Sequence, residues 1–451
     1  MLNGPQLNDT LKQIFWKLPL SAGFKERLRS KRYERILERE AASNSAPASV
    51  TDDAALLSDY AAYVLDSYGK RAEGYREYHE LGPLESDVLL VAYYLTQFHP
   101  NPENDAWWGR GTTEWNNVDR AVPQFVGHYQ PRRPGELGYY DLRIKDTFRR
   151  QIEIAKNYGV GAFCFYYYWF DGGKRLLDFP LNEFLTDPSL DMPFFYCWAN
   201  ENWTRRFSGT DNDVLMRITP TVENYLGFMR TAARDFSDAR YLRIGGSPVV
   251  QVYRPSLIPE PKRVVAGWRD IAREECGSDV YLIAVQERDT AIDWAAVGFD
   301  AESEFQPKQI QHKCRNITNQ VRPIRKDFGG TVYDYAELVE SRHYVNPDSE
   351  GKKVYPAVMP MWDNTARRNH RGTIFHGSTP ELYERWLAGT VSAVRNRDDL
   401  DRKMVFINAW NEWGEGTYLE PDSYWGYAYL QATRDVLDGS SVYGSEPDTR
   451  L

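Results

Sequence analysis

The chain has 451 residues, of which 42% are hydrophobic and 26% charged, with a formal net charge of −9. That hydrophobic share sustains a packed core and excludes a globally disordered chain, and the negative charge argues against a general nucleic-acid binder. No run approaches the ~20 apolar residues that cross a bilayer, and the length suits a barrel of about 250 residues with insertions and an extra segment.

Residues 1–85 read as an N-terminal helical extension and residues 86–451 as the catalytic barrel. Leu11–Leu18 and the basic Lys25–Arg32 are amphipathic, and a Ser/Ala/Pro stretch from Ala41 to Ser49 reads as a linker. A second helical pattern runs from Asp52 to about Tyr78. Two readings of residues 10–32 stay open. One is a peripheral membrane foot, with Phe15, Trp16 and Leu18 inserted and Lys and Arg on anionic headgroups. The other, commoner for such stretches, is packing on the barrel or on another subunit. The N-terminus lacks an uninterrupted apolar core with a small-residue cleavage site, so no secretory signal is expected. Cys164, Cys197, Cys276 and Cys314 form no CxxC pair, which points to reduced thiols in a cytoplasmic, or membrane-peripheral, setting without a zinc site or disulfide frame.

From Asp87 the pattern turns α/β. Strands are expected at Val88–Leu95, Gly161–Tyr167, Pro193–Ala199, Pro248–Tyr253, Val280–Gln286, Phe299–Phe305 (weakly patterned), Val354–Pro360 (awkward for its prolines) and Met404–Trp410. Their near-continuous apolar runs suit parallel strands covered on both faces. Helices are expected at Leu142–Tyr158, Glu223–Phe236, Lys262–Glu275 (closed by Gly277), Ser378–Arg395 and Tyr427–Leu437. Eight strands alternating with helices give an α/β fold, a (β/α)8 TIM barrel. An open doubly wound sheet would place a Gly-rich phosphate turn after the first strand; that position reads Leu95-Thr96-Gln97-Phe98-His99-Pro100. Residues 306 to about 350 are a long insertion with little periodicity, either a substrate-shaping lid or a solvated loop.

Aromatic residues make up 14% of the chain, with 14 Trp and 30 Tyr. They gather at the strand ends beside Asn, Asp, Glu and Arg, a pairing suited to a sugar: the ring covers its C–H face and planar polar groups take its hydroxyls. The first strand end supplies Tyr94, Gln97, His99, Trp107, Trp108, Glu114 and Trp115. The second supplies Tyr168 and Trp169; the third Trp198, Asn200, Glu201, Asn202, Trp203 and Arg205. The seventh supplies Trp362, Asp363, Asn364 and Arg367, and the eighth Trp410, Asn411 and Trp413. A barrel brings all of these to one face.

The candidate catalytic acids are Glu412 and Glu415, in the Gly-punctuated loop after the last strand. Trp410 and Trp413 flank Glu412, and aromatic surface that dries a carboxyl raises its pKa, as a general acid requires. Two carboxylates in a sugar-like pocket point to glycoside chemistry. Glu201 is a rival acid. Asp363 reads as an acid, a hydroxyl acceptor or, with Arg367 and Arg368, a loop anchor. The seven histidines show no HxH or HExxH spacing, so neither a metal nor another cofactor is expected, and no GxSxG elbow occurs.

Six segments together resemble a known family: Tyr93–Pro100, Trp107-Trp108-Gly109, Gly127–Pro131, Cys197–Arg206, Trp362–Arg368 and Asn408–Gly416. They look like the WbsX-type proteins of bacterial surface-polysaccharide clusters, commonly labelled glycosyltransferases. The match spans about residues 87–435 and leaves out the N-terminal 85. That family is in turn similar to glycoside hydrolase family 99, the endo-α-mannosidases, where an Asn-Glu-Trp-x-Glu-Gly motif carries both catalytic acids. The resemblance implies that Glu412 is a base for the substrate's own 2-hydroxyl, whose oxygen attacks the anomeric carbon to give a 1,2-anhydro sugar. It makes Glu415 the acid on the leaving oxygen and then the base on water. The other motifs match that hydrolase family poorly, so mannose specificity does not carry over. Three readings follow: a retaining glycoside hydrolase for α-linked bacterial polysaccharide or oligosaccharide; a glycosyltransferase or transglycosidase of O-antigen or capsule synthesis; and a carbohydrate-binding module with a dead site.

Overall fold

The computed structural model describes residues 53–443 apart from 68, 83, 205–213, 288–291, 343 and 345–350. The amphipathic stretch 10–32 and the linker therefore lie outside the described residues.

Eight parallel strands close into a ring. β1 (Leu89–Tyr94) pairs with β2 (Val160–Trp169), β2 with β3 (Phe194–Trp198), and β3 with β4 (Ser247–Val252). β4 pairs with β5 (Tyr281–Val285) and β5 with β6 (Ala301–Ser303). β7 consists of Val354–Tyr355 and Ala357–Val358 on either side of Pro356. Its first half pairs with β6 and its second with β8 (Met404–Ile407), and β8 returns to β1. Proline has no N–H for a ladder, but the Pro356 carbonyl still accepts from Phe406 N–H at 2.9 Å. The strand changes partner there instead of breaking. All eight strands lie where the apolar runs place them.

Helices Lys145–Asn157, Val222–Ala232, Pro261–Cys276, Pro380–Arg395 and Ala428–Asp438 cover the outside. Their ends follow the local sequence. Thr221 and Thr379 accept N–H bonds from Asn224 and Leu382, and Gly277 closes its helix at φ 69°, a conformation glycine adopts at little cost. The barrel's inside is aromatic around a small polar cluster centred on Gln251. Gln251 donates to Tyr93 Oη at 3.0 Å and to Ser303 Oγ at 2.7 Å, while Tyr93 stacks between Tyr166 and Phe406.

Two expectations change. The helix expected from Asp52 to Tyr78 spans only Asp53–Ser67. After Gly69, at φ 70°, the chain is extended, because Ala72 and Arg76 give their N–H groups to the Tyr424 and Trp425 carbonyls at 2.8 and 3.2 Å. The insertion 306–350 is not a bare loop. It carries a strand, Thr331–Asp334, and a helix, Tyr335–Glu340. That strand joins Thr373–His376 and Trp362–Asp363 in a three-stranded sheet over a small core of Phe125, Ile317, Val332 and Ile374. Among the described residues no helix is long and apolar enough to cross a membrane.

Trp198 shows how the outer layer is held. Its ring is fully buried and stacks on Phe228 of the helix Val222–Ala232 at 4.0 Å. Trp198→Ala should cost about 3–5 kcal/mol, read as a fall in the urea midpoint.

Candidate active site

At the C-terminal ends of the strands lies a cleft of about 300 Å³. Nine residues singled out in the sequence line it: Gln97, Tyr168, Glu201, Asn202, Trp203, Asn364, Arg367, Glu412 and Glu415. Leu95, Tyr166, Ala199, Thr204, Tyr253, Phe305 and Arg368 complete the lining. Every barrel strand except β5 thus contributes its C-terminal end or the loop that follows.

The acids sit on a tight hairpin. Asn411–Glu412 pairs antiparallel with Thr417–Tyr418, and a 3-10 turn, Trp413–Glu415, joins them. Asn411 accepts the Leu95 N–H at 2.8 Å and donates to the Leu95 carbonyl at 3.0 Å, which ties the hairpin to the exit of β1. Trp413 stacks on Tyr418 at 3.8 Å and donates Nε1–H to Glu420 at 2.6 Å. Two glycines are required by close approach. A Cβ on Gly414 would overlap Oε1 of Glu114, and one on Gly416, at φ 58°, would sit 2.5 Å from the Asp363 carbonyl oxygen.

One guanidinium holds three carboxylates. Arg367 Nε meets Glu114 Oε1 at 2.7 Å, Nη2 meets Glu412 Oε2 at 2.8 Å, and Nη1 meets Glu415 Oε1 at 3.0 Å. Side-chain exposure is 0% for Glu114, 6% for Glu412 and 27% for Glu415. Burial, together with the charges of Glu415 and Glu114, outweighs Arg367 and pushes the Glu412 carboxyl up to about 8. Glu412 therefore holds a proton at neutral pH. Burial opposes the charge on Arg367, but the three carboxylates hold its pKa well above the ordinary arginine value.

The facing wall repeats the device. Arg254 pairs with Glu201 and, at 2.5 Å, with Glu287. Lys308 lies over the Tyr253 ring, 3.6 Å from its centroid. Burial pushes the phenols of Tyr166, Tyr168 and Tyr253 far up, so they stay neutral. Tyr168 meets Trp203 edge-on at 5.1 Å.

Among the described residues, the other candidates do not line the cleft. Tyr94 donates to Gln151 at 2.6 Å, Trp115 to the Tyr140 carbonyl at 2.8 Å, and Trp169 to Thr231 at 3.2 Å. Trp198 packs under a helix, and Trp362 and Trp410 are buried. Asn200 bridges the backbone N–H and carbonyl of Arg254. His99 is buried, its Nδ1 2.9 Å from the Thr96 carbonyl, and burial lowers its pKa. Glu114, Asn411 and Trp413 act behind the lining. Trp107 lies 6.5 Å from Trp203, and Trp108 is half-buried beside it. Arg205 lies outside the described residues.

Asp363 anchors its loop, but through other partners than the expected Arg367 and Arg368: Arg367 is taken by Glu114, Glu412 and Glu415. Asp363 is fully buried and accepts from His128 Nε2 at 2.7 Å, Gln130 at 2.6 Å and the Thr365 N–H at 3.1 Å. The Gln124 N–H donates to His128 Nδ1 at 3.0 Å, which leaves the ring hydrogen on Nε2, facing Asp363. Burial raises the Asp363 pKa, but His128, Arg132 and Thr365 outweigh it and hold the carboxyl far below the usual range.

Strand parity explains the division. Successive side chains on a strand alternate between the inside of the barrel and the helices. Tyr166 and Tyr168 share the inner parity, while Tyr167 and Trp169 face outward. Tyr253 and Phe305, which the sequence reading left out, stand just past the ends of β4 and β6, and parity combined with barrel closure was the signal for them.

The family described as Glycosyltransferase WbsX matches residues 90–433. The chain belongs to this family. Two proteins named "Uncharacterized protein WxcX", from two strains of Xanthomonas campestris pv. campestris, are 46% identical over 352 residues, covering 78% of this chain and 50% of theirs. The chain thus spans about half the length of the curated relatives it matches. Among solved structures, a "Glycoside hydrolase-like protein" is 16% identical, covering 81% of this chain and 98% of that one, at a TM-score of 0.49. The GH99 endo-alpha-mannosidase of Bacteroides thetaiotaomicron, in complex with Bis-Tris-propane, is 15% identical, covering 79% and 98%, also at 0.49. At those scores neither likeness bears on the chemistry.

Two outcomes follow from the cluster. Gly414→Ala should force Glu114 off Arg367 and cost about 1–3 kcal/mol by urea denaturation. The second concerns pH. An unfolded Glu412 gives up its proton near 4.5 and the folded one near 8. Between those values the unfolded chain binds fewer protons, so stability falls as pH rises. Glu412→Gln cannot ionise, and its urea midpoint should gain on wild type between about pH 5 and pH 8.

Proposed function

We propose that the chain is a carbohydrate-active enzyme that cleaves α-linked bacterial polysaccharide or oligosaccharide, with Glu412 and Glu415 as its acid/base pair. The observation that carries this reading is the pair itself: two carboxyl groups on one arginine, at the floor of an aromatic cleft, one buried with its proton and one partly open to water. Glycoside cleavage needs two carboxyl groups with one proton between them, a neutral one to protonate the leaving oxygen and an ionised one for the other bond.

In the substrate-assisted route, Glu412 accepts the proton of the sugar's 2-hydroxyl, and that oxygen displaces the leaving group to give a 1,2-anhydro sugar. Glu415 protonates the departing oxygen, then takes a proton from the water that attacks the anomeric carbon, while the C1–O2 bond breaks and Glu412 returns its proton to the 2-oxygen. In the open cleft the proton rests on Glu412. The route requires that proton to pass to Glu415 once the sugar is bound, which frees Glu412 to act as the base. Gln97, Asn202, Asn364 and the neutral phenols supply hydroxyl partners, and Trp203 supplies an apolar face.

The family's description as a glycosyltransferase favours a second reading. The same pair would then activate an acceptor sugar hydroxyl in place of water, as a transglycosidase does. Incubation with bacterial surface polysaccharides and mass detection of products separates the readings: shortened fragments support hydrolysis, lengthened ones transfer. Glu415→Gln should lower kcat by about 10²–10⁴-fold and leave glycan binding intact by calorimetry. Unchanged turnover would remove Glu415 from the acid role.

A further inference from the structure

Glu114 is the one member of the ion cluster that does not line the cleft. It precedes the short helix Trp115–Asp119, and its N–H donates to the Gln97 carbonyl at 3.0 Å. Its side chain is fully buried. Oε1 accepts from Arg367, while Oε2 has the Asn117 amide at 3.5 Å. Arg367 carries a single positive charge and already meets Glu412 and Glu415, so a third carboxyl is surplus to charge balance. It is costly to desolvate and touches no substrate-accessible surface. Gly414 is what makes room for it.

The geometry gives this carboxylate a role. Each guanidinium nitrogen of Arg367 faces a different acid, so the planar fork is pinned on all its edges. Glu114 occupies Nε of Arg367 at 2.7 Å, so Glu412 and Glu415 share that one cation with a third carboxyl and do not have its charge to themselves. The phenols of Tyr166 and Tyr168 stand by Glu412 and that of Tyr253 by Glu415, all kept neutral by burial. Burial aside, Arg367 lowers the Glu412 pKa and Glu415 and Glu114 raise it, and Glu201 and Arg368 line the same cleft.

We propose that Glu114 is a positioning residue for the acid pair: it fixes Arg367 between Glu412 and Glu415 and competes with them for its charge. This rests on the acid-pair reading above and adds a third carboxyl that tunes it. Infrared difference spectra of wild type minus Glu412→Gln, recorded across pH, report the protonated carboxyl band of Glu412 with no glycan present. The band should persist at neutral pH in wild type. In the Glu114→Gln background its midpoint should fall by about one pH unit or more, a tenfold change in proton affinity, because Arg367 is then free to hold the pair ionised. Glu114→Asp, which keeps the charge, should leave the midpoint near that of wild type.

A Glu114→Gln titration superimposable on wild type overturns the proposal. So does a wild type without the Glu412 band at neutral pH, a result that needs no variant at position 114 to fold. If the band behaves as expected and no glycan is ever turned over, the glycosidase reading fails and the role of Glu114 stands.

Discussion

The site depends on one buried cation shared among three anions. Taking charges out of water is expensive, and a guanidinium facing carboxylates recovers that cost only with close, directed contacts. Arg367 meets its three partners at 2.7, 2.8 and 3.0 Å. The four residues come from three stretches of chain: Glu114 between β1 and β2, Glu412 and Glu415 after β8, Arg367 after β7. The ion cluster therefore closes the top of the barrel in the way that β7 closes its wall. Losing one acid would unbalance elements that are far apart in sequence.

The neighbouring features are subordinate to that cluster. Arg367 belongs to a four-residue helix, Thr365–Arg368, too short to hold itself in place. Asp363, two residues before it, is anchored by His128, Gln130 and Thr365. Asp363 in turn ends a strand of the three-stranded sheet. The insertion between β6 and β7 thus supports the segment that carries Arg367. The Gly-x-Gly spacing of residues 414–416 has the same origin, since side chains there would strike Glu114 and Asp363.

The barrel was legible because burial on both faces leaves an unbroken apolar signature. Even the proline-interrupted β7 kept it, since Pro356 retains its carbonyl acceptor. Of the two acids and their surroundings, the hairpin was visible as a run of Asn, Glu, Trp and Gly. Which aromatics reach the cleft was not. Trp198 and Trp169 sit at strand ends, as Tyr166 and Tyr168 do, but on the parity that faces the helices. Composition cannot carry that distinction, which is set by register and closure. Glu114 was named as a sugar ligand and lies instead behind Arg367, because only the folded ring brings those two positions together. The end of the first helix was overextended for a related reason: its backbone N–H groups are claimed by Tyr424 and Trp425, more than three hundred residues away in sequence.

The physical cost of the cluster also separates catalysis from mere recognition. A protein that only binds sugar hydroxyls is served by exposed, ionised carboxylates, which are cheap to keep solvated and accept hydrogen bonds well. Burying Glu412 until burial and like charges push its pKa to about 8 weakens it as an acceptor and destabilises the fold as pH rises. That expense is matched by a benefit only where a proton must be held and released, which is why strongly perturbed carboxyls gather at reacting centres. On the proposed acid-pair reading, Glu415, more exposed on the same arginine, is the group open to water or to an acceptor hydroxyl. The choice between those partners would then turn on the outer cleft and not on the acid pair, so that reading accommodates hydrolysis and transfer alike.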